Sequence, residues 1–222
     1  TLLHRSLALR RAASEPDTQA IARATLNLAE LYRLQGRYSD AEPLYLEALD
    51  LARQSWGGES GELFEFVKQL AVLYREQGRF AEAEPLARQA RDLIVRELGP
   101  DHPRVAQSEF DLGELLRAGG RCRDAMTHYE RAGAIREAAL GREHPEVAEV
   151  LVARASCLAA GASGRAAALA EAGRAVEILD RSDAFPGVEV EALALRADLL
   201  RPSQPARAKA DLARALRLIE AL

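Results

Sequence analysis

Apolar residues recur along the chain at the spacing of one helix face, in paired segments that a glycine separates. Between residues 67 and 74 they fall at helical spacing, and between residues 80 and 93 they form a second stripe. Gly78 lies between the stripes, and glycine readily adopts the left-handed conformation that ends many helices. A Leu-Gly-Pro break follows at residues 98–100. The pattern predicts a helix, a tight turn and a second, antiparallel helix.

This helical hairpin repeats with a period of 42 residues. The period is carried by three glycine-arginine pairs, Gly36-Arg37, Gly78-Arg79 and Gly120-Arg121, and by the alanines that follow them, Ala41, Ala83 and Ala125. A fixed period of about 20 to 50 residues is the signature of a repeat architecture. We therefore expect an all-α solenoid, in which each hairpin packs on its neighbours.

Small residues recur at fixed positions on the apolar faces. The first helices carry Ala29, Ala71, Gly113 and Ala155, and the second helices carry Ala41, Ala83 and Ala125, with Ala167 predicted as the fourth. A small residue on an apolar face indicates that two helix backbones approach closely there. A larger side chain would cost about 1–3 kcal/mol through overpacking.

The linkers between hairpins share a short motif, which reads Asp101-His102-Pro103 in one linker and Glu143-His144-Pro145 in the next. Proline suits the first position of a helix, where no N–H is needed. Because the histidines occupy equivalent places, we favour capping and packing of the linker over metal binding or catalysis. Trp56 stands where other linkers carry leucine, which favours a linker hydrophobe over an anchor for a partner.

The residues from Leu28 to Tyr45 give the pattern its most specific form, Leu-Ala-Glu-Leu-Tyr-Arg-Leu-Gln-Gly-Arg-Tyr-Ser-Asp-Ala-Glu-Pro-Leu-Tyr. It recurs from Leu70 to Leu86, and Leu-Gly-x-x-His-Pro linkers begin at Leu98 and Leu140. This pattern resembles the tetratricopeptide repeat, in the long variety found in kinesin light chains and many bacterial homologues. The resemblance implies a right-handed α-solenoid, a superhelix of antiparallel helix hairpins.

We predict a single repeat domain over residues 1–222. Residues 1–13 fit the second helix of a truncated unit, and repeats follow near 17–58, 59–100, 101–142, 143–183 and 184–222, of which the last two are degenerate. Neither end shows a polar capping helix, which a free solenoid normally needs. We therefore expect a segment of a longer protein, or ends that pack on something, including self-association.

Composition argues against several classes of function. The net charge is −4 and no long basic block occurs, which argues against nucleic-acid binding. The chain contains no run of 18 apolar residues, so the sequence predicts no membrane helix. Neither a phosphate loop nor metal-ligand spacing is present. We expect no catalytic residue, no metal site and no cofactor, and hence no enzyme.

The two cysteines occupy apolar slots of the repeat. Cys122 stands where Tyr38 and Phe80 stand, and Cys157 takes the slot of Leu31 and its equivalents. We interpret both as small buried hydrophobes rather than as a disulfide. A cytoplasmic location fits this cysteine usage.

In tetratricopeptide arrays the first helices line a concave groove, and the resemblance places ten residues of this chain there: Arg23, Asn27, Glu30, Arg33, Lys68, Gln69, Arg75, Asp111, Glu114 and Arg117. It implies that Asn27 bonds the backbone of an extended peptide, and Gln69 could act similarly. Asp111 and Ala153 depart from the groove asparagine. Arg33, Arg75 and Arg117 recur 42 residues apart, as a row of carboxylate clamps or as residues that cap and solvate their helices.

The favoured function is a non-catalytic scaffold that binds a peptide or protein in this groove, with a partner that carries carboxylates. The alternative is a regulatory or oligomerisation segment of a larger signalling or enzymatic protein, acting through its ends. A third hypothesis is a kinesin-type cargo adaptor. It is the weakest, because that family also carries a heptad segment and no sustained heptads occur here.

Overall fold

The computed structural model describes residues 2–13, 17–161, 164–182 and 185–221. Within these ranges the regular structure is helical, with no β-strand. The α-helices are α1 (Leu2–Arg11), α2 (Thr18–Leu34), α3 (Tyr38–Trp56), α4 (Phe64–Glu76), α5 (Phe80–Leu98), α6 (Pro103–Ala118), α7 (Cys122–Leu140), α8 (Pro145–Ala159), α9 (Arg165–Leu179), α10 (Pro186–Leu200) and α11 (Pro205–Ala221). A 3-10 turn at Gly61–Leu63 precedes α4. None of the described helices is long and apolar enough to cross a membrane.

The glycine turns have the left-handed conformation that the sequence pattern predicts. Gly36, Gly78 and Gly120 have φ angles of 71°, 72° and 76°. The arginine that follows also has a structural use, because the Arg37 guanidinium lies 4.2 Å from the centre of the Tyr32 ring. Arg79 stacks in the same way, 4.0 Å from the centre of the Tyr74 ring, so the first two pairs combine a turn residue with a cation on an aromatic ring of the preceding helix.

Residues 1–102 form one compact unit, with α1 to α5. Helices α2 and α3 pack as one hairpin, and α4 and α5 as the next. The small residues lie where the backbones meet, since Ala29 and Ala41 are both fully buried. Tyr45 is also fully buried, and Trp56 at the end of α3 packs its ring 6.0 Å from that of Phe66, as the linker interpretation predicts.

Residues 103–222 form the second compact unit, in which α6 pairs with α7, α8 with α9 and α10 with α11. Gly113 lies at a close approach of α6 and α7, because a Cβ atom added there would lie 2.5 Å from the Tyr129 ring. The fourth small position was predicted wrongly. Ala168 is the buried residue and Ala167 is exposed. The longer turn before α9 shifts this helix by one residue relative to the 42-residue period.

The interpretation of the cysteines as unlinked hydrophobes is also wrong. Cys122, at the start of α7, and Cys157, near the end of α8, form a disulfide with their Cα atoms 5.2 Å apart. This separation lies within the ordinary range for disulfides. The bond joins the second helix of one hairpin to the first helix of the next. The two apolar slots of the repeat are therefore neighbours across that boundary.

The histidine of the second linker motif caps a helix. His144 is the N-cap of α8, and its Nδ1 accepts a hydrogen bond of 3.2 Å from the backbone N–H of Glu146. Pro145 and Pro103 occupy the first positions of α8 and α6. The structure therefore confirms the capping role for His144.

Candidate functional site

Ion pairs cross the first-helix face of the first unit, which α2 and α4 form. Arg23 Nη2 lies 2.7 Å from Glu62 Oε2, in the 3-10 turn before α4. Arg33 Nη1 lies 2.5 Å from Glu76 Oε1, and its Nη2 lies 4.0 Å from Glu30. Two of the predicted groove arginines are therefore already paired with carboxylates of this chain.

The remaining predicted residues of this face differ in how far they are engaged. Gln69 donates a 2.6 Å hydrogen bond to Glu65, and Lys68 lies 3.7 Å from the same carboxylate. Asn27 is exposed and Arg75 is partly exposed. Neither side chain has a partner among the described residues, and their role in binding stays a prediction.

In the second unit, α6, α8 and α10 form the corresponding first-helix face. Arg117 and Glu114 pair along α6, with the Arg117 Nη2 atom 2.6 Å from Glu114 Oε2 and its Nε 3.1 Å from Oε1. The Tyr129 hydroxyl donates a 2.6 Å hydrogen bond to Glu114. Burial, reinforced by this bond, raises the pKa of Tyr129. Asp111 accepts a 2.8 Å hydrogen bond from Gln107.

A pocket of about 240 Å³ opens between these three helices. Its lining combines apolar and charged side chains, namely Phe110, Glu114, Arg117, Glu149, Val152, Ala153, Ser156, Val188 and Glu191. Two of the ten predicted groove residues, Glu114 and Arg117, line it. Most of the others belong to the first unit, and Asp111 is not part of the lining.

The pocket exists partly because of one small residue. Ala153 stands in the repeat position that holds Asn27 in α2 and Gln69 in α4. Its methyl group leaves open the space that a longer amide side chain would occupy. The departure from the groove asparagine that the sequence shows at this position thus coincides with the cavity.

Sequence reasoning missed the residue that organises the charges behind the pocket. Arg136 of α7 is 2% exposed. It donates hydrogen bonds of 2.7 Å to Glu149 and 2.9 Å to Gln107, and its guanidinium lies 4.9 Å from the centre of the Phe110 ring. A signal was available, because the same repeat position holds Ile94. A cation in an apolar slot must be paired when it is buried.

The pocket carries an excess of negative charge. Burial raises the pKa of Glu149, the Arg136 guanidinium opposes that rise, and the nearby carboxylates of Glu146 and Asp111 add to it. The lining of the pocket itself holds three carboxylates, of Glu114, Glu149 and Glu191, and one guanidinium, that of Arg117. Glu191 is exposed and has no partner among the described residues.

The described residues contain no group of three or more histidine, cysteine or acidic side chains that could hold a metal ion. The arrangement is a small cavity whose lining is part apolar and part charged. It is suited to holding a side chain of another molecule, because its polar groups converge on a partly apolar floor.

Several solved structures share this fold. BtubC (BKLC) from P. vanneervenii matches with a TM-score of 0.82 and 21% identity, over 99% of this chain and 89% of that one. A putative kinesin light chain with nearly identical TPR-like repeats from Podosopora anserina matches with a TM-score of 0.74 and 20% identity, over 92% and 97%. A Rap protein complexed with Competence and Sporulation Factor matches with a TM-score of 0.69 and 18% identity, over 90% and 54%.

No curated protein matches the chain significantly. The family model of the tetratricopeptide repeat matches residues 1–54 and 65–138, which is more than half of the chain. The fold class predicted from the sequence, an all-α tetratricopeptide solenoid of antiparallel hairpins, is confirmed by this match and by the structural likenesses. The predicted likeness of the repeats to those of kinesin light chains is confirmed at the level of the fold. The chain belongs to the tetratricopeptide repeat family.

Proposed function

We propose that this chain is a non-catalytic protein-interaction scaffold and that the pocket on the first-helix face of the second unit receives a side chain of a bound peptide or protein. The observation that carries the proposal is the pocket itself, which opens between three successive first helices. Repeat arrays act through the surfaces that their stacked units create.

The composition of the pocket supports a peptide partner. Phe110, Val152 and Ala153 form an apolar floor, and charged groups stand at its rim. An apolar floor with a few polar groups provides affinity through desolvation and orientation through charge. The Rap protein of similar fold is described in a complex with Competence and Sporulation Factor. A bound partner is therefore compatible with a solenoid of this kind.

The predicted partner with carboxylates stays a prediction, and the ion pairs do not favour it. Arg33 and Arg117 already hold carboxylates of this chain. An acidic partner would have to displace them. Only Arg75 among the three recurrent arginines offers an unpaired guanidinium within the described ranges, so a continuous row of clamps has little support.

A cytoplasmic location also stays a prediction. It was based in part on the absence of a disulfide, and the bond between Cys122 and Cys157 removes that part of the argument. Disulfides persist mainly in oxidising compartments. Measurement of the thiol content of protein purified under alkylating conditions would test whether the bond forms in the cell.

A second candidate function, association through the last helix, is favoured by an exposed apolar stripe on α11. Leu216 and Ile219 are 60% and 53% exposed, and Leu212 lies one turn before them on the same face. Self-association through this stripe would bury it. Light scattering across a range of protein concentrations tests this, since the Leu216→Glu change should abolish any assembly that depends on α11.

The proposed pocket function is tested by filling the cavity. Random 12-residue peptides displayed on phage are selected on the wild-type protein, and the enriched peptides are synthesised and measured by calorimetry. We expect Ala153→Met to abolish their binding, because the longer side chain occupies the cavity. Ala167→Met, on an exposed position of α9, is the matched control and should bind normally. Equal binding to both variants would refute the pocket as the binding site.

A further inference from the structure

We propose that this pocket selects a basic peptide, in which a lysine or arginine side chain lies against Glu149 and Glu191 and an adjacent apolar side chain packs on Phe110, Val152 and Val188. The inference rests on the proposed function and adds the chemistry of the partner. It departs from the carboxylate-bearing partner that the recurrent arginines suggest.

The first step of the argument is the charge balance. Both guanidiniums of the site are engaged inside the chain, Arg117 with Glu114 and Arg136 with Glu149. Glu191 of α10 is exposed, lines the pocket and has no partner among the described residues. The surplus negative charge is therefore directed at whatever enters the pocket, and complementary potentials select a cation.

The second step compares equivalent positions in the two units. In the first unit, Arg23 of α2 pairs across the hairpin boundary with Glu62. The repeat position of Arg23 holds Glu149 in α8, so an acid stands there where the first unit has a cation. The α10 residues that line the pocket are Val188 and Glu191, and neither is a cation. Arg136 of α7 pairs with Glu149 from behind the pocket, so a ligand can supply the cation on the side of α10.

The third step is the protonation of Glu149. Its carboxylate is faced by Arg136 from α7, by Asp111 from α6 and by Glu146 from its own helix. Burial raises the pKa of Glu149, and the two acids raise it further. A bound cation would stabilise the ionised form and lower this pKa. Affinity for a basic peptide should therefore rise with pH as Glu149 ionises, whereas affinity for a neutral peptide should not.

The fourth step is size. The cavity of about 240 Å³ falls below the range of roughly 300–1,000 Å³ that is typical of small-molecule sites. It accommodates a single side chain better than a whole metabolite. Val188 and Glu191 lie one turn apart on α10 and both line the pocket. The α10 edge of the pocket therefore places an apolar side chain beside an acidic one. This edge matches a peptide in which a basic residue stands next to an apolar residue.

The test uses the peptides selected on the wild-type protein and their binding to charge variants of the full chain. We expect enrichment of lysine or arginine beside an apolar residue. Replacement of that basic residue by norleucine should weaken binding, and Glu191→Lys should weaken it about tenfold, since opposite charge becomes repulsion. Glu191→Gln should have a smaller effect, and raised salt should weaken binding of the wild type.

Glu177→Lys is the matched control. Glu177 is exposed on α9 and lies outside the pocket, and its replacement by lysine changes the net charge by the same amount as Glu191→Lys. We expect it to bind the basic peptides within about twofold of the wild type, since Glu177 does not line the pocket and salt screens the interactions of exposed charges. Circular dichroism should show that all variants fold.

The outcomes separate the two proposals. Selected peptides that bind Ala153→Met as well as wild type would overturn the pocket function. If the selected peptides fail to bind Ala153→Met but are acidic or uncharged, the pocket function stands and only the basic specificity is overturned. Equal loss of affinity in Glu191→Lys and Glu177→Lys would also overturn it, because the effect would then come from net charge and not from the pocket.

Discussion

The two units solve the same packing problem with different chemistry. In residues 1–102, the first helices are tied by ion pairs that cross from one hairpin to the next, such as Arg33 with Glu76. In residues 103–222, the equivalent of Glu76 is Ala160, and Arg117 turns to Glu114 of its own helix. The second unit instead uses a disulfide and a buried arginine to connect α7 with α8.

This difference shows how a repeat can keep its fold while its surface changes. Exposed ion pairs such as Arg23 with Glu62 contribute little to stability, so a repeat can lose such a pair without loss of fold. Their loss leaves carboxylates such as Glu149 and Glu191 without partners from neighbouring first helices. The unit that gives up the pairs is the one that has the acidic pocket.

The largest effect should follow removal of the buried cation. Arg136→Ala is expected to lower the free energy of unfolding of the second unit by about 3–5 kcal/mol, because Glu149 and Glu146 lose a buried partner. Urea unfolding followed by circular dichroism measures it. Arg136→Lys keeps the charge but loses the planar guanidinium, so its free energy of unfolding should lie between those of the wild type and Arg136→Ala. A loss below about 1 kcal/mol would show that the arginine does not organise the unit.

Reduction of the disulfide should have the next largest effect. The Cys122→Ala/Cys157→Ala double variant is expected to lose about 2–4 kcal/mol, because the cross-link restricts the unfolded chain. The wild type should lose a similar amount in a thiol reductant. The double variant should be insensitive to the reductant, which makes it the control. If the reductant does not lower the free energy of unfolding of the wild type, the disulfide does not stabilise the second unit.

A methyl group should distinguish the two units at one equivalent position. Gly113→Ala places a Cβ atom against the Tyr129 ring and should cost about 1–3 kcal/mol by overpacking. The first unit holds Ala71 in the same slot, where a Cβ atom is accommodated. Thermal unfolding of the variant measures the cost. A neutral result would mean that the Tyr129 ring moves aside.

The smallest effect is expected for the ion pairs of the first unit. Arg33→Gln and Glu76→Gln should each cost at most about 1 kcal/mol, and their coupling in a double-mutant cycle should shrink in high salt. Arg117 has no such partner in the next hairpin. A second cycle therefore combines Arg117→Gln with Ala160→Glu, which introduces the missing acid. Replacement of Arg117 should lower stability through loss of this ion pair only in the protein that carries Ala160→Glu.

Much of the fold could be predicted from particular residues. The left-handed turn at Gly78 follows from its place between two apolar stripes, and Pro145 begins α8 as its position after His144 suggests. These features depend on neighbours in sequence, which the chain shows directly. The assignment of residues 1–222 to one domain, the repeat boundaries and the ten groove residues stay predictions.

The errors arose where a residue's role depends on a distant part of the chain. Ala167 was predicted as buried because the 42-residue period was extended through a turn that is longer, whereas Ala168 is the residue that packs. The Cys122–Cys157 bond spans 35 positions. The period places the two cysteines in the slots of Tyr38 and Leu73, but it does not show that these slots meet, because they lie on different helices.

The sequence by itself determined the helices, their turns and the kind of stack they form, because a 42-residue period and a 3.6-residue apolar stripe are local and repeated. Only the tertiary structure decided which charges are already neutralised. Arg33 and Arg117 look alike in sequence, yet one pairs with the next hairpin and the other with its own helix. Each arginine pairs with the nearest carboxylate, and the packing of the helices decides which carboxylate is nearest.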